Sequence, residues 1–144
     1  MNESIWHRDF TLEDLNTMAK GSMVEHIGIV FTEIGADYLV ATMPVDARTK
    51  QPMGLLHGGA SVTLAETMGS MGAWLAHPKS EEMLSVGLEI NANHLKAVTS
   101  GTVTGKASPI RQGKTVQVWR IDISDESGDL ICTSRITTMA LKSR

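Results

Sequence analysis

The chain has 144 residues, 42% of them hydrophobic and 20% charged, which is the size and composition of one ordinary globular domain. A formal net charge of −3, from 13 Lys and Arg against 16 Asp and Glu, excludes a broadly basic protein that coats nucleic acid. The single cysteine cannot form an internal disulfide, the N-terminal residues lack the apolar segment of a secretory signal, and no apolar run is long enough to span a membrane. We therefore expect one cytoplasmic domain, residues 1–144, with no membrane or nucleic-acid partner.

The first part of the chain predicts a helix and then two strands. Thr11 caps a helix whose apolar residues share one face, and Lys20-Gly21 ends it. Two segments then alternate apolar and polar residues, as strands do: residues 27–33 and 38–45. A loop rich in turn-forming residues follows, at 44–59.

Residues 59–76 show the period of a helix. Large apolar side chains form one ridge, and small residues form a second ridge that suits close approach to another backbone. The ridges consist of Leu64, Met68, Met71 and Leu75, and of Val62, Ala65, Gly69 and Gly72. Because apolar surface covers most sides, the pattern predicts a core helix that is covered all round.

Four further strands are predicted after this helix. They lie at residues 86–90, 102–104, 116–123 and 130–139, and a turn at 125–129 makes the last two a hairpin. The order of helix, two strands, long helix and four strands is typical of an α+β domain. A strongly curved antiparallel sheet wrapped around one long central helix satisfies it.

Glu66 is the only residue with a formal charge between Lys50 and Lys79, and it lies midway along the most apolar helix. Removing an ionised carboxylate from water is costly unless the group is paired or hydrogen-bonded. The hydroxyls of Thr63 and Ser70, and no cation, lie three and four residues away. A lone helical Glu is more often structural or solvated, but the neutral surroundings favour a catalytic acid or base in a cleft.

A glycine pair at the start of the same helix points to an anion. Gly58 and Gly59 leave backbone N–H groups uncovered, which suits a phosphate or the oxyanion of an acyl intermediate. Other chemistries lack their signatures: there is no Walker A lysine, no serine nucleophile elbow, and no metal-binding spacing among the histidines. We expect no metal site, and we expect Cys132 to be a packed small hydrophobe.

The motif around the two features resembles that of hotdog-fold acyl-CoA thioesterases that carry their catalytic Glu on the helix. It reads Gln51-Pro-x-Gly-x-Leu-His57-Gly58-Gly59-Ala-x-x-x-x-Ala65-Glu66-x-x-Gly69-Ser70. The resemblance extends over essentially the whole chain, including residues 41–46, 86–94 and 117–119. This clade comprises phenylacetate-pathway and aryl-CoA thioesterases, among them hydrolases of 1,4-dihydroxy-2-naphthoyl-CoA in menaquinone synthesis.

The resemblance implies a role for each residue of the motif. Glu66 is the nucleophile or the general base that directs water at the thioester carbonyl. Gly58 donates its N–H to the carbonyl oxygen, and His57 holds the loop. Gln51 orients the carbonyl or the water, and Ser70 helps to place the water or the Glu66 carboxylate. The family forms this site between two subunits of a homodimer, usually a dimer of dimers, so we expect a homotetramer.

The resemblance also places the coenzyme A portion of the substrate, and it implies no separate cofactor. The positions that match nucleotide contacts in relatives are Gly87, His94, Leu95, Lys96, Arg111, Gln112, Gly113, Lys114, Thr115 and Val116. Cations at strand ends and turns, such as Arg111 and Lys114, suit phosphates, although solvated surface lysines look the same in a sequence.

Three alternatives stay open at this point. The thioester donor is either coenzyme A or an acyl carrier protein, in which case the enzyme has a proofreading role. A hotdog hydratase or dehydratase would need a His paired with Asp or Glu in a different arrangement, which the sequence lacks. A non-catalytic acyl-CoA-binding module of the same fold would not need Glu66. The sequence also does not separate an anhydride mechanism from general-base hydrolysis.

Overall fold

The computed structural model describes residues 3–144, in which a six-stranded antiparallel sheet curves around one long helix. The elements in chain order are α1 (Leu12–Met18), α2 (Met23–His26), β1 (Val30–Ile34), β2 (Leu39–Pro44), α3 (Gly58–Leu75), β3 (Met83–His94), β4 (Thr102–Gln112), β5 (Val116–Ser124) and β6 (Leu130–Lys142). The strand order is β1-β2-β4-β5-β6-β3. The predicted α+β hotdog fold is confirmed.

The core lies between α3 and the concave face of the sheet. The ridge of small residues on α3 permits this contact, because a methyl group built on Gly72 would lie 2.6 Å from Trp119 Cζ3 of β5. One built on Gly69 would overlap the side chain of Ile136 of β6. Leu64 and Met68 of the large ridge are fully buried. The close approach fixes how α3 is seated on the sheet, and therefore which of its faces remains outward.

Several element boundaries differ from those predicted. A four-residue helix capped by Ser22, α2, directly precedes the predicted first strand, and Gly28, at φ +79°, turns the chain after it, so β1 begins only at Val30. The strand predicted at 102–104 continues to Gln112 through a bulge between Pro109 and Arg111. A short bulged strand end of this kind has no hydrophobic alternation to reveal it.

β3 is a long edge strand, which has a neighbour on one side only. A bulge between Gly87 and Glu89 breaks the predicted alternation, so Leu88 points outward and is 54% exposed. Leu84 is 51% exposed on the same strand. A long edge with exposed apolar residues is a surface suited to pairing with another chain.

Among the helices within residues 3–144, none combines the length and apolar character that crossing a bilayer requires.

Candidate active site

Glu66 lies on the one face of α3 that the sheet does not cover. Its side chain is exposed, and on the same side of the helix Gly59 is exposed while Thr63 and Ser70 are half-buried. The prediction that this helix is covered all round is therefore wrong for a single chain. The Thr63 hydroxyl donates to the Gly59 carbonyl at 2.9 Å, and within the described residues no group hydrogen-bonds or pairs with the Glu66 carboxylate.

Gly87 of β3 lies directly against the Glu66 carboxylate. A methyl group built on Gly87 would overlap Glu66 Oε1. The strand therefore approaches the helix closely here because residue 87 has no side chain. Ser70 is one turn further along α3. We call Glu66, Ser70 and Gly87 together the carboxylate cluster.

The start of α3 leaves one backbone donor free. His57 is the N-cap residue, and its Nδ1 accepts a hydrogen bond from the Gly59 N–H at 2.7 Å. The N–H groups of Ala60 and Ser61 donate to the His57 carbonyl. Within the described residues the Gly58 N–H has no acceptor, and it lies at the positive end of the helix dipole. This single N–H is the donor that an anion would meet.

A cavity of about 370 Å³ surrounds this donor. Its walls include five predicted site residues: Gln51, Gly58, His94, Leu95 and Lys96. We call this group the donor cluster. The Gln51 Oε1 accepts a hydrogen bond from the Met53 N–H, which leaves the amide NH₂ of Gln51 as a donor. A methyl group on Gly58 would lie 2.8 Å from His94 Nε2, so the imidazole is in close contact with the glycine.

The two clusters are separate within one chain. Gly58 and Glu66 are eight residues apart on α3, which corresponds to about 12 Å along the helix axis. Gly87 and His94 are seven residues apart on β3, about 23 Å along the strand. A hydrogen bond to a carbonyl oxygen and an attack on its carbon both require contact within about 3 Å. One chain therefore does not bring Glu66 and Gly58 to the same thioester.

The predicted nucleotide segment is divided between two strands and a turn. Arg111 and Gln112 end β4, Val116 begins β5, and only residues 113–115 form the turn. The turn borders a cavity of about 640 Å³, whose walls also contain two lysines and two histidines that were not predicted: Lys79, Lys142, His7 and His77. Buried His77 holds the turn, since its Nε2 lies 3.0 Å from the Lys114 carbonyl oxygen while its Nδ1 accepts from the Lys79 N–H.

Lys96 differs from the other predicted cations because its charge is already paired. Its Nζ lies 2.7 Å from Asp125 and 2.5 Å from Asp129. Hydrogen bonds to these two carboxylates raise the pKa of Lys96 above its usual value. The contacts fasten the end of β3 to the hairpin between β5 and β6.

Cys132 has the environment expected of an unreactive thiol. It is fully buried on β6, and burial, with the charge of Asp122 as a smaller contribution, raises the pKa of its thiol.

A curved sheet around a helix that carries an uncovered carboxylate and a free N-terminal N–H defines the hotdog thioesterase class. A model of the thioesterase superfamily matches residues 53–132, which include the whole of α3, and the chain belongs to this family. It is 53% identical over 137 residues to the 1,4-dihydroxy-2-naphthoyl-CoA hydrolase of Escherichia coli (strain K12), covering 95% of this chain and 99% of that protein. It is also 53% identical over 137 residues to the proofreading thioesterase EntH of Cronobacter sakazakii, covering 95% and 98%.

Solved structures show the same relationship. A crystal structure of a thioesterase from Haemophilus influenzae has a TM-score of 0.92 at 49% identity, covering 96% of this chain and 95% of that one. A mutant thioesterase from Pseudomonas aeruginosa has a TM-score of 0.94 at 44% identity, covering 97% and 100%. The predicted resemblance to hotdog thioesterases is confirmed.

Proposed function

We propose that this protein hydrolyses acyl-CoA thioesters, with broad specificity and a preference for aromatic acyl groups of the benzoyl-CoA and 1,4-dihydroxy-2-naphthoyl-CoA types. The observation that carries the proposal is the presence on α3 of two groups without partners, the Glu66 carboxylate and the Gly58 N–H. The names of the relatives support thioester hydrolysis, and one of them supports the aromatic substrate.

In this mechanism the Gly58 N–H donates a hydrogen bond to the thioester carbonyl oxygen and stabilises the negative charge that develops on it. Glu66 either removes a proton from water as that water attacks the carbonyl carbon, or attacks the carbon itself and forms an anhydride that water then cleaves. In both cases the C–S bond breaks, and one water is consumed to give the free thiol and the carboxylic acid while Glu66 is regenerated. His57 fixes the loop through Gly59, while Gln51 and Ser70 orient the carbonyl and the water.

The active form in this proposal is a homodimer joined along β3. Antiparallel pairing of two β3 strands about a dyad between Ile90 and Asn91 sets Gly87 of each chain opposite His94 of the other. The carboxylate cluster of one subunit then faces the donor cluster of the second. The same pairing removes the exposed edge strand.

The convex face of the sheet supports a further association of two such dimers. It carries a group of apolar residues on neighbouring strands, several of which are about half exposed: Leu84, Val86, Ile110, Met139 and Leu141. Burying such a patch between sheets stabilises an assembly through the hydrophobic effect. We therefore propose a tetramer.

The lysine cavity, defined by Lys79, Lys114 and Lys142, is the proposed site for the phosphates of the thioester substrate. Within the described residues none of the three forms an ion pair, and Glu82 is the one acidic residue in the cavity wall. Met83 pairs with Lys142 and is four residues from Gly87, about 13 Å along β3. An extended pantetheine arm spans a comparable length from its thioester to its phosphate.

The cavity is suited to bind the phosphate of a phosphopantetheine group from either source, free coenzyme A or an acyl carrier protein. The second source defines an alternative function, the removal of wrong acyl or aryl groups from a carrier protein. The proofreading names of some relatives favour it. Both substrates belong to the cytoplasm, which is the proposed location.

Thiol release from a panel of thioesters tests the proposal. The panel contains benzoyl-CoA, 1,4-dihydroxy-2-naphthoyl-CoA, a medium-chain acyl-CoA, an aryl-loaded carrier protein, and benzoyl N-acetylcysteamine, which has no phosphate. We expect the highest kcat/KM with an aromatic CoA thioester, and a higher KM for the phosphate-free ester because it does not reach the lysines.

Faster turnover of the loaded carrier protein would establish the alternative function instead. No hydrolysis of any ester by the folded, dimeric protein would contradict both, and would leave a non-catalytic acyl-CoA-binding module.

A further inference from the structure

We propose that His94 is a catalytic residue that donates a hydrogen bond from Nε2 to the thioester carbonyl oxygen, beside the Gly58 N–H. The inference deepens the proposed hydrolysis and rests on it. It differs from what the family resemblance implies, in which His94 belongs to the nucleotide contacts.

The first observation is the position of the ring. Nε2 is the His94 atom closest to the methyl position of Gly58, at 2.8 Å, and the two neighbouring ring carbons lie at 3.1 and 3.2 Å. The outer end of the imidazole therefore reaches the start of α3, where the free N–H of Gly58 lies. A carbonyl oxygen that accepts from this N–H would lie within reach of Nε2.

The second observation is that hydrogen-bond donors without partners converge on one cavity. Within the described residues neither ring nitrogen of His94 has a hydrogen-bond partner. The Gly58 N–H has no acceptor, and the Gln51 amide NH₂ is also free. Three donors around one cavity of about 370 Å³ are an arrangement for binding an oxygen that gains negative charge.

The third observation is the charge at this end of β3. Lys96 is held by Asp125 and Asp129, so these three residues together carry a net charge of −1. A carboxylate-rich corner of this kind repels the phosphates of a nucleotide. The three unpaired lysines lie at the other end of β3, next to Met83. The charge distribution therefore assigns the phosphates to the lysine cavity and leaves His94 to the acyl carbonyl.

The proton of His94 stays on the ring during the reaction. As the carbonyl carbon gains its new bond, the oxygen becomes anionic, and the hydrogen bonds to it from the Gly58 N–H and from His94 Nε2 shorten. When the C–S bond breaks, the carbonyl double bond reforms and the two hydrogen bonds weaken again. Because these interactions are strongest in the transition state, they raise kcat more than they lower KM.

Two variants separate this role from nucleotide binding, His94→Ala and His94→Gln. With an acyl-CoA substrate we expect His94→Ala to lower kcat by about 10²-fold, the effect of removing one oxyanion donor. KM and the Kd of coenzyme A alone, measured by calorimetry, should stay unchanged. His94→Gln should restore part of kcat, because its amide supplies a donor at a similar reach.

A raised Kd for coenzyme A with kcat retained would overturn the inference and return His94 to the nucleotide. Unchanged kcat in both variants would overturn it as well. Wild-type protein and Glu66→Gln are assayed in parallel. If wild-type protein does not hydrolyse the ester, the proposed function fails. If it does and the His94 variants keep their kcat, only this inference fails.

Discussion

Replacing Glu66 by Gln is expected to lower kcat by about 10²–10⁴-fold, the contribution of a positioned acid–base group. The amide has the shape of the carboxylate but neither accepts a proton at neutral pH nor attacks a carbonyl carbon. Because the side chain is exposed and unpaired, the free energy of unfolding should change by less than about 0.5 kcal/mol. Thiol release under saturating substrate measures kcat, and thermal unfolding measures stability.

Glu13→Gln is the matched control, since it removes an exposed carboxylate from α1 far from both clusters and should leave kcat unchanged. Gly87→Ala reaches the same carboxylate from β3, because its methyl group would displace the flexible end of Glu66. It should lower kcat with little loss of stability. Near-normal turnover in Glu66→Gln would remove Glu66 from the mechanism.

Gly58→Pro is expected to lower kcat by about 10²–10³-fold, because it deletes the N–H that stabilises the oxyanion. The backbone at this position is already suited to proline. Gly58 is the first residue of α3, where proline is well tolerated, and His57, at φ −69° and ψ 129°, has the conformation that a following proline requires. The substitution therefore removes a donor without breaking the helix.

Gly58→Ala is the control for this variant, since it keeps the N–H and brings a similar side-chain carbon against His94. The ratio of kcat between the alanine and proline variants then reports the N–H alone. Circular dichroism of both variants checks the helix. Equal kcat values for the two would contradict the role of the Gly58 N–H.

Much of the fold was predictable because local patterns are coupled to tertiary contacts. The ridge of small residues on α3 is found packed against β5 and β6, as close backbone approach requires. The turn at residues 125–129 joins β5 to β6, as its composition predicts. In both cases the residues that determine the structure are neighbours in the sequence or recur with the period of a helix.

The exposure of α3 was not predictable from the same pattern. Periodicity shows which residues are apolar, but not whether the cover comes from the same chain or from another one. The bulge after Gly87 was hidden for a related reason, since Val86, Leu88 and Ile90 alternate in the sequence but not in the strand. An extra residue changes the facing side chains without changing the composition.

The candidate site divides in the same way. Glu66 and Gly58 produce local signals, a lone charge and a glycine at a helix start. Lys79 and Lys142 produce none, because they come from separate segments and meet only in the folded chain. The pairing of Lys96 with the β5–β6 hairpin was equally hidden, as its partners are 29 and 33 residues away.

The central claim is that Glu66 and the Gly58 N–H act on one thioester from different subunits, and mixed dimers test it most directly. Glu66→Gln and Gly58→Pro chains with different affinity tags are coexpressed, and thiol release is measured. Random assortment makes half of the dimers mixed, and each mixed dimer regains one intact site, so we predict about a quarter of wild-type activity. Activity no higher than that of the two variants alone would show that the site does not form between subunits.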